Sequence, residues 1–127
     1  MRATAILFGL LTLGACAMQT PPDHTFPVFF TNDSAALDVP AQSVVLRAAT
    51  AAKQFPSLPV YVAGYADRNG SPAATIALSK ARADAVSDLL ISDGVPAASI
   101  KRTAVGTPPN SQPGIESRRV EIDLGDQ

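Results

Sequence analysis

The chain has 127 residues, which is enough for one domain, and 46% of them are hydrophobic, so a sizeable core is possible. Its formal net charge of −1 argues against electrostatic binding to nucleic acid. Five phenylalanines, two tyrosines and no tryptophan also argue against an aromatic platform that stacks nucleic-acid bases.

The N-terminus has the pattern of an export signal. Arg2 precedes an apolar segment, residues 3–15, that is shorter than the roughly 20 residues a transmembrane helix needs. The only cysteine, Cys16, has no second cysteine in the chain to pair with, so a free thiol or an intermolecular bridge is its simplest state. These features predict an export signal at the N-terminus.

The next part of the chain predicts a strand and a helix. Residues 27–30 form a short apolar run that ends at a polar turn, which is typical of a strand. Pro40 can occupy the first position of a helix, and Pro56 disfavours helical conformation in the residue before it, so the helix should end near residues 54–55. Hydrophobic residues at helical spacing predict its buried face: Val45, Ala48, Ala49 and Ala52.

A second helix is predicted after a second strand. Residues 60–65 are rich in β-branched and aromatic side chains and favour a buried strand. Ser71 as N-cap and Pro72 at the first helical position begin a helix that should end at Asp93-Gly94. The face predicted to be buried consists of Leu78, Ala81, Ala85, Val86 and Leu89.

Two more strands complete the pattern. Residues 100–105 predict the third strand, and residues 118–124 alternate apolar and polar side chains as a half-buried fourth strand does. The order β-α-β-α-β-β indicates an α+β fold in which two helices pack on one face of a mixed four-stranded sheet.

The sequence contains no recognisable catalytic constellation. It has no nucleophile elbow, no phosphate-binding loop and no cluster of histidines and cysteines at metal-ligand spacing. The only histidine, His24, has no potential partner ligands nearby in the sequence. An enzyme is therefore not expected, and neither is a metal or another cofactor.

One acid and one base stand out because adjacent rigid elements would hold them. Asp67 lies in a glycine-rich turn after the second strand, and Arg82 lies about three turns inside the following helix. Together they could bind a zwitterionic ligand. Two simpler alternatives stay open: Asp67 could organise its own turn, and Arg82 could be an exposed helix charge or pair with Asp67 alone.

Three separated motifs resemble those of the OmpA C-terminal-like domain family, which includes the peptidoglycan-associated lipoprotein. They are GYADRNG at 64–70, TIALSKARA at 75–83 and SRRVE at 117–121, and the match covers residues 27–124. In addition, Leu-Gly-Ala-Cys at 13–16 resembles the lipobox of bacterial lipoproteins. The second resemblance implies a lipoprotein signal peptide at 1–15, cleavage before Cys16, lipidation of that residue and a lipidated tether at 16–26.

The family resemblance implies an OmpA-like sandwich at residues 27–127 that binds the meso-diaminopimelate of the peptidoglycan stem peptide. Asp67 would accept hydrogen bonds from the ammonium of this ligand, and Arg82 would bind one of its carboxylates. The other positions that the resemblance places beside the pocket are Asp33, Thr75 and Arg118.

The chain departs from the family pattern at three positions. Thr75 and Ser117 stand where the family commonly has asparagine, and Gly114 stands where a further arginine is common. These departures replace two amide side chains with hydroxyls and remove one guanidinium, and they leave Asp67 and Arg82 unchanged.

The implied function is that of an outer-membrane lipoprotein, anchored by lipid at Cys16, whose periplasmic domain binds peptidoglycan and tethers the membrane to the cell wall. Ala17, in place of an aspartate after the cysteine, favours the outer membrane by analogy with lipoprotein sorting. The alternative is an OmpA-like scaffold subunit of an envelope protein assembly, with weak or no binding to peptidoglycan. Other envelope proteins are possible partners, and nucleic acid is not expected to be one.

Overall fold

Two helices lie against one sheet, in the order of elements that the sequence predicts. The computed structural model describes residues 24–68, 70–109 and 114–125. Its elements are β1 (Thr25–Phe29), α1 (Val39–Gln54), β2 (Val60–Tyr65), α2 (Pro72–Ser92), β3 (Ile100–Gly106) and β4 (Arg119–Leu124), with short 3-10 helices at Ala97–Ser99 and Ile115–Ser117.

The strands form one mixed sheet in the order β1-β4-β2-β3. β4 is antiparallel to both of its neighbours, whereas β2 and β3 are parallel. Alternate residues of β4 point into the core, so Val120, Ile122 and Leu124 are buried. The same buried cluster contains residues of both helices. The predicted α+β fold, with two helices on one face of a mixed sheet, is therefore confirmed.

Side-chain caps fix where the two helices begin. Asp38 accepts a hydrogen bond from the main-chain nitrogen of Ala41 at 2.9 Å, and Ser71 accepts one from that of Ala74 at 3.1 Å. The lengths and compositions of the helices in the described ranges do not suit a membrane span.

The predicted buried face is correct for α1 and mostly wrong for α2. In α1, all four predicted residues are buried. In α2, Val86 is buried as predicted, but Ala81 is exposed, and Leu78, Ala85 and Leu89 are only partly buried. The residues that α2 buries are Thr75, Ser79, Arg82, Ala83, Val86, Ser87 and Leu90. This face contains four polar residues, so hydrophobic periodicity does not identify it.

The first strand and the last loop also differ from the sequence prediction. β1 begins at Thr25, two residues before the predicted start, because Phe26 is buried and pairs with Ile122 of β4. The loop before β4 contains the 3-10 helix Ile115–Ser117, which the sequence pattern did not predict. The predicted signal peptide, Cys16 and most of the predicted tether lie outside the described residues.

β2 and α2 approach each other closely at Gly64. A Cβ atom at this position would lie 2.1 Å from the main-chain oxygen of Ser79, so a larger residue would force the main chain to move. The hydroxyl of Ser79 also accepts a hydrogen bond from the main-chain nitrogen of Gly106 at 3.1 Å. These contacts fix α2 against the ends of β2 and β3, and they thereby set the position of Arg82 relative to the turn that carries Asp67.

Candidate ligand-binding site

The candidate site lies where β1 and β2 end and β4 begins. Antiparallel pairing places the start of β4 beside the ends of β1 and β2, so three loops converge there. The loop after β1 carries Asp33, the loop after β2 carries Asp67, and Arg118 directly precedes β4. Arg82 reaches the same region from α2.

Asp67 links two of these loops. Its Oδ1 accepts a hydrogen bond from the main-chain nitrogen of Gly114 at 3.3 Å, and its Oδ2 lies 3.5 Å from Nη1 of Arg118. Both partners belong to the loop between β3 and β4, so Asp67 does more than organise its own turn. Its side chain retains 17% exposure, so it is not closed off from solvent.

The guanidinium of Arg82 is fully buried and bonded to the main chain. Nε donates to the carbonyl of Ser34 at 2.8 Å, Nη1 to that of Tyr65 at 3.1 Å, and Nη2 to that of Thr31 at 3.2 Å. The guanidinium carbon also lies 5.3 Å from the ring centroid of Phe30. Arg82 is therefore not an exposed helix charge. The described bonds use three of the five N–H groups that a guanidinium carries.

The charged side chains of the site affect the pKa of Arg82. The pKa of Arg82 is lowered, mainly because burial disfavours its charged form. The negative charges of Asp67 and Asp33 raise this pKa, and the positive charge of Arg118 lowers it. All three ionised side chains are therefore close enough to affect the guanidinium. Two acids and two bases meet at one end of the sheet, and a zwitterionic ligand could complement both signs.

Arg118 is fixed through its main chain, and its side chain is less constrained. Its carbonyl accepts a hydrogen bond from the main-chain nitrogen of Phe30 at 2.8 Å, which continues the pairing of β1 with β4. The side chain is 26% exposed, and its Nη1 contacts Asp67. Its Nε is buried, and no described residue accepts a hydrogen bond from it. Buried N–H groups without an acceptor are rare in proteins, so this nitrogen is a favourable place for a further acceptor.

Asp33 lies at the rim of the charged cluster. Its side chain is exposed, and its main chain has a φ of 52°, a left-handed conformation that aspartate tolerates better than most residues. The bonds from Arg82 to the carbonyls of Thr31 and Ser34 hold this loop on both sides of Asp33. The position of Asp33 therefore depends on the buried guanidinium.

Thr75 lies on a neighbouring surface. It is only 5% exposed, and its hydroxyl donates to the carbonyl of Ser71 at 3.2 Å, within the first turn of α2. Thr75 also lines a cleft of about 310 Å³ together with Arg68 and Thr107. The structure thus brings Asp33, Asp67, Arg82 and Arg118 together and places Thr75 in the adjoining cleft.

A comparison with known families matches the OmpA family over residues 29–119. The chain belongs to the OmpA family. The matched range extends from the end of β1 to the start of β4 and includes the five residues that the resemblance placed at the pocket.

Curated relatives of this OmpA-family chain include proteins named as lipoproteins or probable lipoproteins. It is 35% identical over 105 residues to the peptidoglycan-associated lipoprotein of Agrobacterium fabrum, which covers 77% of this chain and 59% of that protein. It is 34% identical over 104 residues to the probable lipoprotein YiaD of Escherichia coli, which covers 76% of this chain and 47% of that protein. The chain therefore matches about half of the length of these relatives.

Two solved structures share the fold. The peptidoglycan-associated lipoprotein of Burkholderia pseudomallei superposes with a TM-score of 0.67 at 24% identity, covering 80% of this chain and 89% of that one. The C-terminal domain of Helicobacter pylori MotB gives a TM-score of 0.69 at 25% identity, covering 80% and 84% of the two chains. Both likenesses support the two-helix, four-strand arrangement described above.

Main-chain groups form much of the site, and the sequence did not indicate them. They are the carbonyls of Thr31, Ser34 and Tyr65 and the N–H of Gly114. Every residue has a main-chain carbonyl, so no pattern of side chains in the sequence identifies the three carbonyls that accept hydrogen bonds from Arg82.

Proposed function

We propose that this OmpA-family protein binds peptidoglycan non-covalently through the meso-diaminopimelate of the stem peptide. The observation that carries the proposal is the meeting of Asp67, Arg82 and Arg118 at one end of the sheet. Relatives named peptidoglycan-associated lipoprotein support the same class of ligand.

Diaminopimelate carries charges that complement these side chains, since its free end bears an ammonium and a carboxylate. In the proposed complex the ammonium donates to Asp67, and a carboxylate accepts from Arg82. The three carbonyls that bind Arg82 hold its guanidinium in place before the ligand arrives. Such preorganisation lowers the entropic cost of binding.

We further propose that lipid at Cys16 anchors the protein in the outer membrane and that the domain faces the periplasm. The lipobox-like sequence and the lipoproteins among the relatives support this anchor. Each buried CH₂ contributes about 0.8 kcal/mol, so several acyl chains hold a protein that one chain would release. Membrane and wall would then be linked at two non-covalent attachments. Neither attachment needs a reaction catalysed by this protein, so the proposal is a binding module and not an enzyme.

A second candidate function is an OmpA-like scaffold subunit of an envelope assembly, in which binding to the wall is weak or absent. The observation that favours it is the burial of Arg82, whose described bonds all go to main-chain carbonyls. A guanidinium placed in this way could serve the fold alone.

Co-sedimentation with purified cell-wall sacculi tests the proposal. We expect the full-length protein, solubilised in detergent, to sediment with sacculi and to be released by free diaminopimelate. Asp67→Asn keeps the shape of the side chain and removes its charge, so its affinity should fall about tenfold or more. Asp88→Asn is the matched control, because Asp88 is an acid of α2 whose side chain is 73% exposed and contacts Arg102.

Two outcomes of this experiment would contradict the proposal. Equal sedimentation of wild type and Asp67→Asn would overturn the assignment of Asp67 to the ligand. Failure of the wild type to sediment would overturn peptidoglycan binding and favour the scaffold function.

A further inference from the structure

The two ends of the domain differ in charge. At the end that carries the candidate site, each of the three loops contains charged residues, among them Asp33, Asp67 and Arg118. At the opposite end, the loop between α1 and β2 (55–59) and the loop between α2 and β3 (94–99) contain no charged residue. These two loops can therefore leave water at a lower cost than the loops of the site.

The uncharged loops expose apolar groups. Phe55, directly after α1, is 38% exposed, and Pro56 and Pro96 are also exposed. Ile91, in the last turn of α2 at the same end of the domain, is 38% exposed as well. A cavity of about 160 Å³ lies between the two loops and is lined by residues of both. We call the surface formed by the two loops and Ile91 the apolar end.

A lysine flanks each loop of the apolar end. Lys53 lies two residues before the first loop and Lys101 two residues after the second, and both side chains are exposed. Nζ of Lys53 donates to the carbonyl of Asp93 at 2.9 Å, and the side chain of Asp93 itself is only partly exposed. Ammonium groups at the edge of an apolar surface suit the boundary between the acyl chains and the phosphates of a lipid layer.

The chain runs toward Cys16 from this same end of the domain. The carbonyl of His24 accepts a hydrogen bond from the main-chain nitrogen of Leu124 at 2.8 Å, and that of Pro59, in the first loop, accepts one from Gly125 at 3.0 Å. Cys16 and His24 are eight residues apart, which limits their separation to about 29 Å even in a fully extended chain. Lipid at Cys16 would therefore hold the apolar end close to the membrane.

Taking the lipid anchor of the proposed function as its basis, we infer that the apolar end is a membrane-docking surface. It lies on the lipid layer that holds the acyl chains of Cys16, with Phe55 and Ile91 among the acyl chains and Lys53 and Lys101 at the phosphates. The anchor raises the effective concentration of this surface at the membrane, so weak apolar contacts suffice. The six residues of β2 span roughly 20 Å, so docking at this end directs the candidate site away from the membrane and toward the wall.

Tryptophan fluorescence tests this inference, because the chain has no tryptophan of its own. Full-length lipidated protein is reconstituted into vesicles of phosphatidylethanolamine and phosphatidylglycerol, with or without bromine on the acyl chains. The emission of Phe55→Trp should shift to shorter wavelength on the vesicles and should be quenched by the brominated chains. Phe29→Trp is the matched control and should show neither effect, because Phe29 is 42% exposed and pairs with Arg119 at the end that carries the site.

Further variants make the test independent of one substitution. Ile91→Trp places the reporter on the other helix and should respond as Phe55→Trp does. Ser57→Asp puts a carboxylate into the exposed first loop, so it should abolish the quenching of Phe55→Trp. Ser43→Asp changes an exposed serine of α1 outside the apolar end and should leave the quenching unchanged.

Four results would overturn the inference. In protein that floats with the vesicles, equal quenching at positions 55 and 29, no quenching at positions 55 and 91, or quenching that Ser57→Asp leaves unchanged would exclude docking at the apolar end and leave the lipid anchor standing. A shift to shorter wavelength that needs added envelope proteins and occurs without quenching would assign the apolar end to a protein partner.

The lipid anchor is tested separately in the same experiment. Failure of the wild type to float with the vesicles would overturn the anchor, and the inference with it. Binding to peptidoglycan is measured by co-sedimentation with sacculi and does not depend on any of these results.

Discussion

At Arg82, one side chain contributes both to the stability of the fold and to the candidate site. Its three main-chain bonds join the loop after β1 to the end of β2, and its guanidinium is fully buried. Removal of the guanidinium would leave the carbonyls of Thr31, Ser34 and Tyr65 without the donors that they have in the native structure. A binding defect in an Arg82 variant therefore has to be interpreted together with its stability.

Arg82→Lys should lower the free energy of unfolding by about 2–3 kcal/mol, because one ammonium cannot donate to three separated carbonyls. Urea denaturation measures this difference. Arg102→Lys is the control, since the side chain of Arg102 is 42% exposed and its ion pairs lie on the surface; its effect should stay below about 0.5 kcal/mol. Equal stability of the two variants would contradict the structural role of Arg82.

Asp67 is better suited than Arg82 to a test of binding alone. Its carboxylate is partly exposed, and its two described contacts are long, at 3.3 and 3.5 Å. Asparagine preserves the acceptor for Gly114, so the fold should tolerate Asp67→Asn with little loss of stability. This is why the co-sedimentation experiment removes the charge of Asp67 and leaves Arg82 intact.

At the scale of the elements, helix ends could be predicted from the sequence and the buried face of α2 could not. Capping residues and prolines act locally, so α1 and α2 begin within a residue of the predicted positions. The face of α2 depends on its neighbours. The polar side chain of Ser79 can be buried because its hydroxyl accepts a hydrogen bond from the main-chain nitrogen of Gly106. Arg82 can be buried because three main-chain carbonyls accept hydrogen bonds from its guanidinium. Hydrophobic periodicity carries no information about such polar partners.

A surface ion-pair cluster joins α2 to β3. Asp84 accepts hydrogen bonds from Lys80 at 2.6 Å and from Arg102 at 3.1 Å. These bonds lower the pKa of Asp84 from its ordinary value of 3.8. A carboxyl whose pKa is lowered by folding stabilises the folded state above its unfolded-state pKa, and this contribution is lost as the pH falls through the folded-state pKa.

Asp84→Asn should therefore lower the free energy of unfolding by about 0.5 kcal/mol at neutral pH, a small effect because the pairs are exposed. The difference from wild type should shrink as the pH falls below 3.8, which urea denaturation at a series of pH values would measure. Asp88→Asn, whose carboxylate lies 3.9 Å from Arg102, should have a smaller effect. A difference that stays constant through the acidic range would show that the charge of Asp84 is not its cause.

At the scale of the whole molecule, the candidate site exists because of the strand order. Asp33, Asp67 and Arg118 lie on three loops that are far apart in the chain, and the order β1-β4-β2-β3 brings those loops to one end of the sheet. Periodicity predicted the strands, the three motifs predicted the family, and the resemblance to that family pointed to the charged residues. Neither periodicity nor the motifs give the positions of main-chain atoms. The contact of Asp67 with Arg118 and the carbonyl partners of Arg82 depend on those positions, so they could not be predicted.

The most direct test of the central claim is an NMR titration, with a synthetic stem tripeptide that contains diaminopimelate, that follows the main-chain amide of Gly114. This amide donates to Oδ1 of Asp67, so an ammonium that binds Asp67 should shift its resonance in a saturable way. The amide of Gly94 is the internal reference, because it donates to the carbonyl of Ile91 at the opposite end of α2 and should not respond. Saturable binding that leaves the Gly114 resonance unchanged would contradict the placement of the ligand at Asp67.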